Sequence, residues 1–255
     1  MRIVDLSALI APSPPDAPVF ARCGVKYTNH TGGAAQIEAL FKVPRDLLRA
    51  GEGWAIEELY DFGTHNSTHV DAPYHYNSHI GGTPAQTIDE LPLAHFFAGG
   101  VVLDMRHKAD GDALTPADAQ AELARIGYTL KPADIVLVRT GRDVFYGQPD
   151  YVFRGCGVTA EATCWLYDRG VRVMGIDAWG WDAPLDKQAR EALARDEKGI
   201  LWAAHQCDLP YSQIERLANL GALPSTGFTV ACFPLKIKGA SAAPARVVAL
   251  VEGTA

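Results

Sequence analysis

Histidines are concentrated in one short stretch of this chain, DFGTHNSTHVDAPYHYNSH, which runs from Asp61 to His79. Pro73 lies inside the stretch and argues against one helix through it, so we expect an extended backbone there. In an extended chain, side chains at every second position point the same way. The residues predicted to share one face are therefore His65, His69, Asp71 and His75.

Three imidazoles and a carboxylate on one face are typical of a transition-metal site. Such donors are preferred by zinc, manganese or iron(II), whereas calcium and magnesium favour oxygen ligands. The alternative is a polar loop whose histidines are only solvated, and four donors in one register argue against it. We expect His65, His69 and Asp71 to bind a divalent ion, Zn²⁺ or Mn²⁺, and to leave coordination positions open for water, as a catalytic site requires.

The same stretch carries a resemblance to a known family. HNSTHVDAPYH, from His65 to His75, resembles the HxGTHxDxPxH signature of the cyclase family of metal-dependent hydrolases, to which bacterial kynurenine formamidases and isatin hydrolases belong. Ser67 stands where the family usually has glycine. The resemblance continues through GIDAWGWDAP at 175–184, through His205 and through the segment 213–250, so it covers nearly the whole chain.

The resemblance implies a fold, further site residues and an assembly. The family folds as an α/β domain of the swivelling β/β/α type, in which a mixed, barrel-like central sheet is surrounded by helices, and it forms dimers or tetramers. By resemblance, His75 is the general acid/base, and His205 and Glu215 are ligands of a second metal. Sequence spacing alone is weak evidence that His205 and Glu215 bind a metal, because a histidine and a glutamate ten residues apart match no metal motif. A packed histidine and a surface glutamate are the alternative.

Aromatic residues lie beside the segments that match the family. They could line an apolar pocket for a flat or cyclic substrate, and packing in the core is the alternative. His79 continues the register of the other histidines but departs from the family pattern, so we expect it to be solvated. The predicted substrate-binding tryptophans are Trp179, Trp181 and Trp202.

Three functions from different classes fit these residues. The first is metal-dependent hydrolysis of a small non-peptide amide or lactam, such as an arylformamide or an isatin-like ring. The second is hydrolysis of a lactone or other ester-like ring at the same site. The third is a metal-binding module without turnover. His75 argues against the third, because a structural zinc site closes its shell with a fourth protein ligand and needs no additional base.

Composition limits the class of partner and the compartment. The chain has 255 residues, of which 48% are hydrophobic, and no linker, so we expect one domain over residues 1–255. The net charge of -7 argues against nucleic acid and anionic membranes, and it favours a small neutral or cationic substrate. An N-terminal segment without a signal peptide or anchor, and five cysteines without a CxxC pair, predict a cytoplasmic protein with reduced thiols.

Strands that alternate with helices are expected around the histidine stretch. Apolar runs and alternation predict strands at 2–6, 53–62, 100–105, 134–139, 171–176, 228–237 and 246–251. Helical spacing predicts a helix at 34–41, a helix or helical turn at 87–97, and helices at 116–126, 160–169 and 186–197. Thr115 and Thr159 are the expected N-caps of the third and fourth helices, and Pro116 the first helical residue of the third. The segment 12–18 is expected to be a loop, and Gly81-Gly82 a turn.

Overall fold

A computed structural model describes residues 1–14, 17 and 22–252 of the chain. Its internal contacts divide the chain into two compact units, which are described separately. The first unit consists of Met1–Leu9 and of the chain from Ser67 onward, and the second is Ile10–Asn66. The single domain expected over residues 1–255 stays a prediction. Part of the loop expected at 12–18 lies outside the described residues. Among the described helices, none has the length and apolar character needed to span a bilayer.

Strands provide most of the regular structure in the described residues. In chain order they are β1 (Arg2–Asp5), β2 (Gly24–Thr28), β3 (Ile56–Tyr60), β4 (His69–Asp71), β5 (His79–Ile80), β6 (Thr83–Pro84), β7 (Phe97–Asp104), β8 (Ala113–Leu114), β9 (Ile135–Arg139), β10 (Gly157–Val158), β11 (Val173–Ile176), β12 (Ser212–Glu215), β13 (Phe228–Ala231), β14 (Ala242–Pro244) and β15 (Val248–Val251).

The helices are fewer and mostly short. The α-helices are α1 (His30–Phe41), α2 (Pro73–Tyr76), α3 (Pro116–Arg125), α4 (Ala160–Asp168) and α5 (Leu185–Arg195). Single 3₁₀ turns occur at Arg45–Leu47, Arg49–Gly51, Ile88–Glu90, Leu93–Phe96, Asp143–Phe145, Tyr151–Phe153 and Leu220–Ala222.

A nine-stranded mixed sheet forms the centre of the first unit. Its strand order is β1-β15-β13-β7-β9-β11-β12-β4-β14. The four strands from β7 to β12 run parallel to one another, and every other neighbouring pair is antiparallel. The sheet curls into a half-barrel with helices packed against it, which confirms the predicted α/β class.

Burial on both faces explains why the central strands read as continuous apolar runs. In β9, Ile135 and Leu137 enter one hydrophobic core, whereas Val136 and Val138 enter the other. Successive side chains of a strand point to opposite faces, so one apolar run supplies both cores. Helices α3 and α4 cover the second core with apolar residues such as Leu123 and Leu166.

The predicted caps explain where α3 and α4 begin. The Thr115 side chain accepts a hydrogen bond from the Asp118 amide, the Asp118 carboxylate accepts one from the Thr115 amide, and Pro116 occupies the first helical position. Thr159 accepts from the Ala162 amide in the same manner. Both N-terminal predictions are confirmed.

The segment 87–97, expected to be a helix or helical turn, forms two 3₁₀ turns, because Pro92 lacks the amide hydrogen that a continuous helix would need. Two predicted elements differ from the observed structure. The strand expected at 228–237 ends at Ala231. The histidine stretch is not uniformly extended: His65 lies in a turn, only His69–Asp71 forms a strand, and Pro73 begins the short helix α2 that carries His75. Proline is tolerated at the first helical position, so it starts a helix here instead of preventing one.

The described residues of the second unit combine one α-helix with a two-stranded sheet. Strands β2 and β3 are antiparallel, and α1 begins after Asn29, whose side chain accepts a hydrogen bond from the Gly32 amide. Several large apolar side chains of this unit are well exposed: Tyr27, Leu40, Phe41, Leu47, Leu59 and Tyr60.

Candidate metal centre

Strands β4 and β12 bring the first donors together. They pair antiparallel, with His69 opposite Glu215 and Asp71 opposite Gln213. Because side chains alternate along a strand, His69 and Asp71 share one face of β4, while Val70 between them enters the core on the other. The sheet register thus places three donor side chains, from residues far apart in sequence, on one patch.

The donor atoms on this patch are close and shielded from solvent. His69 Nε2 lies 3.2 Å from Asp71 Oδ1 and 3.7 Å from Glu215 Oε2, and one donor atom from each of the three residues falls within 4.8 Å of the others. The residues His69, Asp71 and Glu215 are 0%, 0% and 6% exposed. Two carboxylates at such a separation repel each other when buried, and a divalent cation between them removes that cost. One imidazole and two carboxylates therefore fit a divalent metal.

The orientation of His69 suits a metal ligand. Its Nδ1 donates a hydrogen bond to the Ser67 carbonyl across 2.9 Å, which leaves the Nε2 lone pair directed at the carboxylates. Ser67 adopts a left-handed backbone with φ of 56°. Glycine adopts this conformation without strain, which explains why the family signature usually has glycine here.

His205 approaches Glu215 from the other side, held by Asp182. His205 Nδ1 donates to Asp182 Oδ2 across 2.5 Å, and His205 Nε2 lies 3.5 Å from Glu215 Oε1. Asp182 also accepts from the backbone amides of Ala204 and His205. Glu215 Oε1 accepts from the Trp181 amide. His205 is thus buried, as the packing alternative expected, but Glu215 is not a surface residue.

Burial and hydrogen bonding shift the pKa values of His205 and Asp182. Burial alone would lower the pKa of His205, but the hydrogen bonds with Asp182 and Glu215 raise it to about 9. Burial alone would raise the pKa of Asp182, but the hydrogen bond and charge of His205, together with hydrogen bonds from the Ala204 amide and Gln188, lower that pKa below its ordinary value. Both carboxylates beside His205 are therefore ionised at neutral pH.

His75 lies on α2 within an aromatic cluster next to these donors. Its ring contacts the Trp202 ring edge to face at 5.0 Å and lies 5.8 Å from the His205 ring. Trp202 in turn stacks on His205 at 4.5 Å. One ring nitrogen of His75 lies within 4.8 Å of an Asp71 carboxylate oxygen. A half-buried base therefore stands beside the buried carboxylates without being part of the trio on β4 and β12.

The other predicted site residues occupy varied positions. His65 belongs to the second unit, so its role as a metal ligand stays a prediction. Trp181 is fully buried and its indole donates to Thr163, which matches the core-packing alternative. Trp179 carries the Arg216 guanidinium over its ring. His79 is exposed on β5.

Sequence reasoning missed two residues that orient the donors. Asp182 fixes His205, and the Gln213 amide donates to Asp71 Oδ2 across 3.3 Å. The only signal for either was its place inside a segment that resembles the family, since neither completes a metal motif by spacing.

Comparisons with known proteins agree with this geometry. The Cyclase family, described as "Putative cyclase", matches residues 4–183. Kynurenine formamidase of Sphingopyxis alaskensis is 28% identical over 187 residues, which are 72% of this chain and 75% of that protein. Isatin hydrolase A from Labrenzia aggregata, solved with benzyl benzoate, is 27% identical with a TM-score of 0.74 over 99% of this chain and 94% of its own. An isatin hydrolase bound to the product analogue thioisatinate has a TM-score of 0.75 at 22% identity, over 98% and 92% of the two chains.

The matched family model spans well over half of the chain, so this protein belongs to the cyclase family. The resemblance found in the sequence is thereby confirmed, and so is the enzyme class that it implied, a metal-dependent hydrolase.

Proposed function

We propose that this protein hydrolyses a small non-peptide amide or lactam with the help of a divalent metal. The observation that carries the proposal is the buried trio His69, Asp71 and Glu215, whose donor atoms converge within 4.8 Å beside the separate base His75. A divalent ion at such a trio supplies Lewis-acid activation of the scissile carbonyl and of water. His65 would complete the first metal position, and His205 with Glu215 would hold the second.

The residues around the donors assign the proton transfers. Cleavage of an amide requires a proton on the leaving nitrogen, and a histidine performs that transfer near neutral pH. His75 suits this role because the Trp202 ring, perpendicular to it, limits the directions in which its imidazole can turn. Asp182 instead holds His205 in one orientation, so His205 serves as a ligand and not as a base.

The substrate class rests on the relatives and on the aromatic cluster. The kynurenine formamidase and the isatin hydrolases are named for an acyclic amide and a lactam respectively. Trp202 is half-buried and offers an aromatic plane next to His75, which suits a flat ring on the substrate. Both features favour an aryl amide or a fused lactam.

A substrate panel tests this proposal. Protein reconstituted with Zn²⁺ and, separately, with Mn²⁺ is assayed on N-formylkynurenine, isatin, a cyclic imide and a lactone of similar size. We expect the formamide or the fused lactam to have the highest kcat/KM, and the better metal in this assay identifies the cofactor. A lactone preferred by two orders of magnitude, or no turnover of any of the four, would overturn the proposal.

The assembly and the compartment belong to the same proposal. We expect a homodimer or homotetramer, because the second unit exposes large apolar residues such as Leu40, Phe41 and Leu47. Light scattering measures it directly, and a 27.5 kDa particle at micromolar concentration would contradict it. All five cysteines are free, which supports a reducing compartment such as the cytoplasm.

A further inference from the structure

Arg216 is a buried cation beside the metal centre. It directly follows Glu215 and is only 7% exposed. Its Nε donates to the Trp179 carbonyl across 3.3 Å, and its guanidinium lies 3.7 Å from the centre of the Trp179 ring. Within the part of the chain that the structure describes, no carboxylate lies within ion-pairing distance of this guanidinium. Burial lowers the pKa of Arg216, and the nearby charges of Glu215 and Asp71 offset only part of that effect, so the buried cation calls for an explanation.

A comparison within the molecule shows how unusual this environment is. Arg169 also lies over a tryptophan ring, that of Trp165, at 3.5 Å, and it donates to the carbonyl of the same tryptophan. Arg169 is exposed, so water satisfies its remaining donors. The Arg216 side chain has the same chemistry, but the residue is only 7% exposed.

The backbone at Arg216 is also held in a sparsely populated conformation. Its φ is 57°, in the left-handed region that disfavours side chains. Its amide donates to the Ala178 carbonyl, and its carbonyl accepts from the Thr68 hydroxyl across 2.6 Å. Residues that their surroundings hold in a strained backbone conformation are concentrated at functional sites. These contacts fix the direction in which the guanidinium leaves the end of β12.

Two neighbouring contacts connect Arg216 to the metal centre. Glu215 packs against Gly180, since a side-chain carbon added at Gly180 would meet Glu215 Oε1 at 3.5 Å. Trp179 precedes Gly180 in the same loop, and the Arg216 guanidinium lies over its ring. The Glu215 carboxylate and the Arg216 guanidinium thus lie against two successive residues of one loop.

We propose that the terminal nitrogens of Arg216 bind a carboxylate that the substrate carries apart from the bond being cleaved. This inference rests on the proposed amide hydrolysis and narrows its substrate class to acidic aryl amides. A planar guanidinium matches a carboxylate with two parallel hydrogen bonds, and a site of low dielectric strengthens them. The net charge of -7 led us to expect a neutral or cationic substrate. The proposal departs from that expectation because it assigns the positive charge of Arg216 to a substrate carboxylate.

Paired substrates test the proposal on the metal-loaded enzyme. The first is 2-formamidobenzoate and the second is formanilide, which lacks the carboxylate. In Arg216→Met, we expect kcat/KM for 2-formamidobenzoate to fall about 10- to 100-fold, mainly because KM rises. A loss of that size is typical when hydrogen bonds to a charged group are removed. Formanilide turnover should change less than about 3-fold. Arg169→Met is the matched control and should leave both substrates unaffected.

Each other outcome is decisive. Equal losses on both substrates would mean that Arg216 only supports Glu215, and the proposal would be overturned. If the wild-type enzyme cleaves neither amide, the proposed function fails, and calorimetric binding of 2-aminobenzoate to wild type and Arg216→Met still decides the role of Arg216. If circular dichroism shows that Arg216→Met does not fold, Arg216→Lys, which keeps the charge but not the planar fork, must show a smaller loss confined to the acidic substrate.

Discussion

His205 donates its Nδ1 proton to Asp182 across 2.5 Å and presents its opposite nitrogen to Glu215 at 3.5 Å. A carboxylate that holds a histidine in this manner fixes both the tautomer and the direction of the ring. The proposed second metal position would therefore depend on Asp182, a residue that does not itself bind the metal in that proposal.

Asp182→Asn should weaken metal binding at that position. The amide cannot accept the His205 proton and both backbone hydrogen bonds as strongly as the carboxylate does. We expect about a 10- to 100-fold lower metal affinity, the usual effect of losing such a partner. Competition with a chromophoric chelator measures it. Asp168→Asn, an exposed aspartate at the end of α4, is the control, and equal affinities for all three proteins would disprove the role of Asp182.

His75→Ala should keep its metal and lose turnover. We expect kcat to fall about 10² to 10⁴-fold, the usual contribution of a positioned acid/base, with a smaller loss on substrates whose leaving group needs little protonation. Elemental analysis and assays on formanilide and a 4-nitro derivative check both parts. A variant that has lost its metal, and regains activity in excess Zn²⁺ or Mn²⁺, would identify His75 as a ligand instead.

Two of the tryptophans should respond differently to substitution. Trp202→Leu removes the ring beside His75, so we expect KM for an aryl amide to rise about 10-fold, as for one lost aromatic contact. Trp181→Phe leaves a small cavity and removes the hydrogen bond to Thr163, so we expect the free energy of unfolding to fall by about 1–3 kcal/mol. Steady-state kinetics and urea titration separate the two effects. The assignments fail if Trp202→Leu changes only stability.

Asp177 should make stability depend on pH between about 4 and 6. Burial raises its pKa from 3.8 to about 6, although hydrogen bonds from Thr140 and Gly141 oppose the rise. The folded protein then holds this proton more tightly than the unfolded chain does. The stabilisation is complete below about pH 4 and is lost as the pH rises through 6.

The corresponding experiment compares wild type with Asp177→Asn by urea titration from pH 4 to pH 7. The free energy of unfolding of wild type relative to the variant should fall over that range by roughly 2 kcal/mol, most of the ~3 kcal/mol equivalent of the rise from 3.8 to about 6. Groups that titrate in both proteins cancel in this difference. A flat difference for Asp177→Asn would contradict the assignment.

The sequence predicted those elements whose residues have one physical role. Strand β9 was predicted because all of its apolar side chains are buried, and α3 because Thr115 and Pro116 form a local cap. Strand β12 was missed because its buried residues include Ser212, Gln213 and Glu215, whose polarity hides the hydrophobic pattern.

The candidate site was predicted in part for the same reason. His69 and Asp71 were found because they are two residues apart on one strand, whereas Glu215 meets them only through the pairing of β4 with β12. Sequence spacing does not encode that register, so the resemblance to the family supplied it. Nothing local in the sequence indicated that Asp182 would reach His205, since a 22-residue stretch separates them.

The most direct test of the account is the metal dependence of amide hydrolysis. Chelator-treated wild type and His69→Ala are assayed on formanilide before and after addition of Zn²⁺ or Mn²⁺, with bound metal measured by elemental analysis in the same samples. We predict that wild-type activity rises in proportion to bound metal, and that His69→Ala binds less metal and stays at least about 100-fold less active. Undiminished metal in His69→Ala, or full amide hydrolysis by metal-free wild type, would contradict the account.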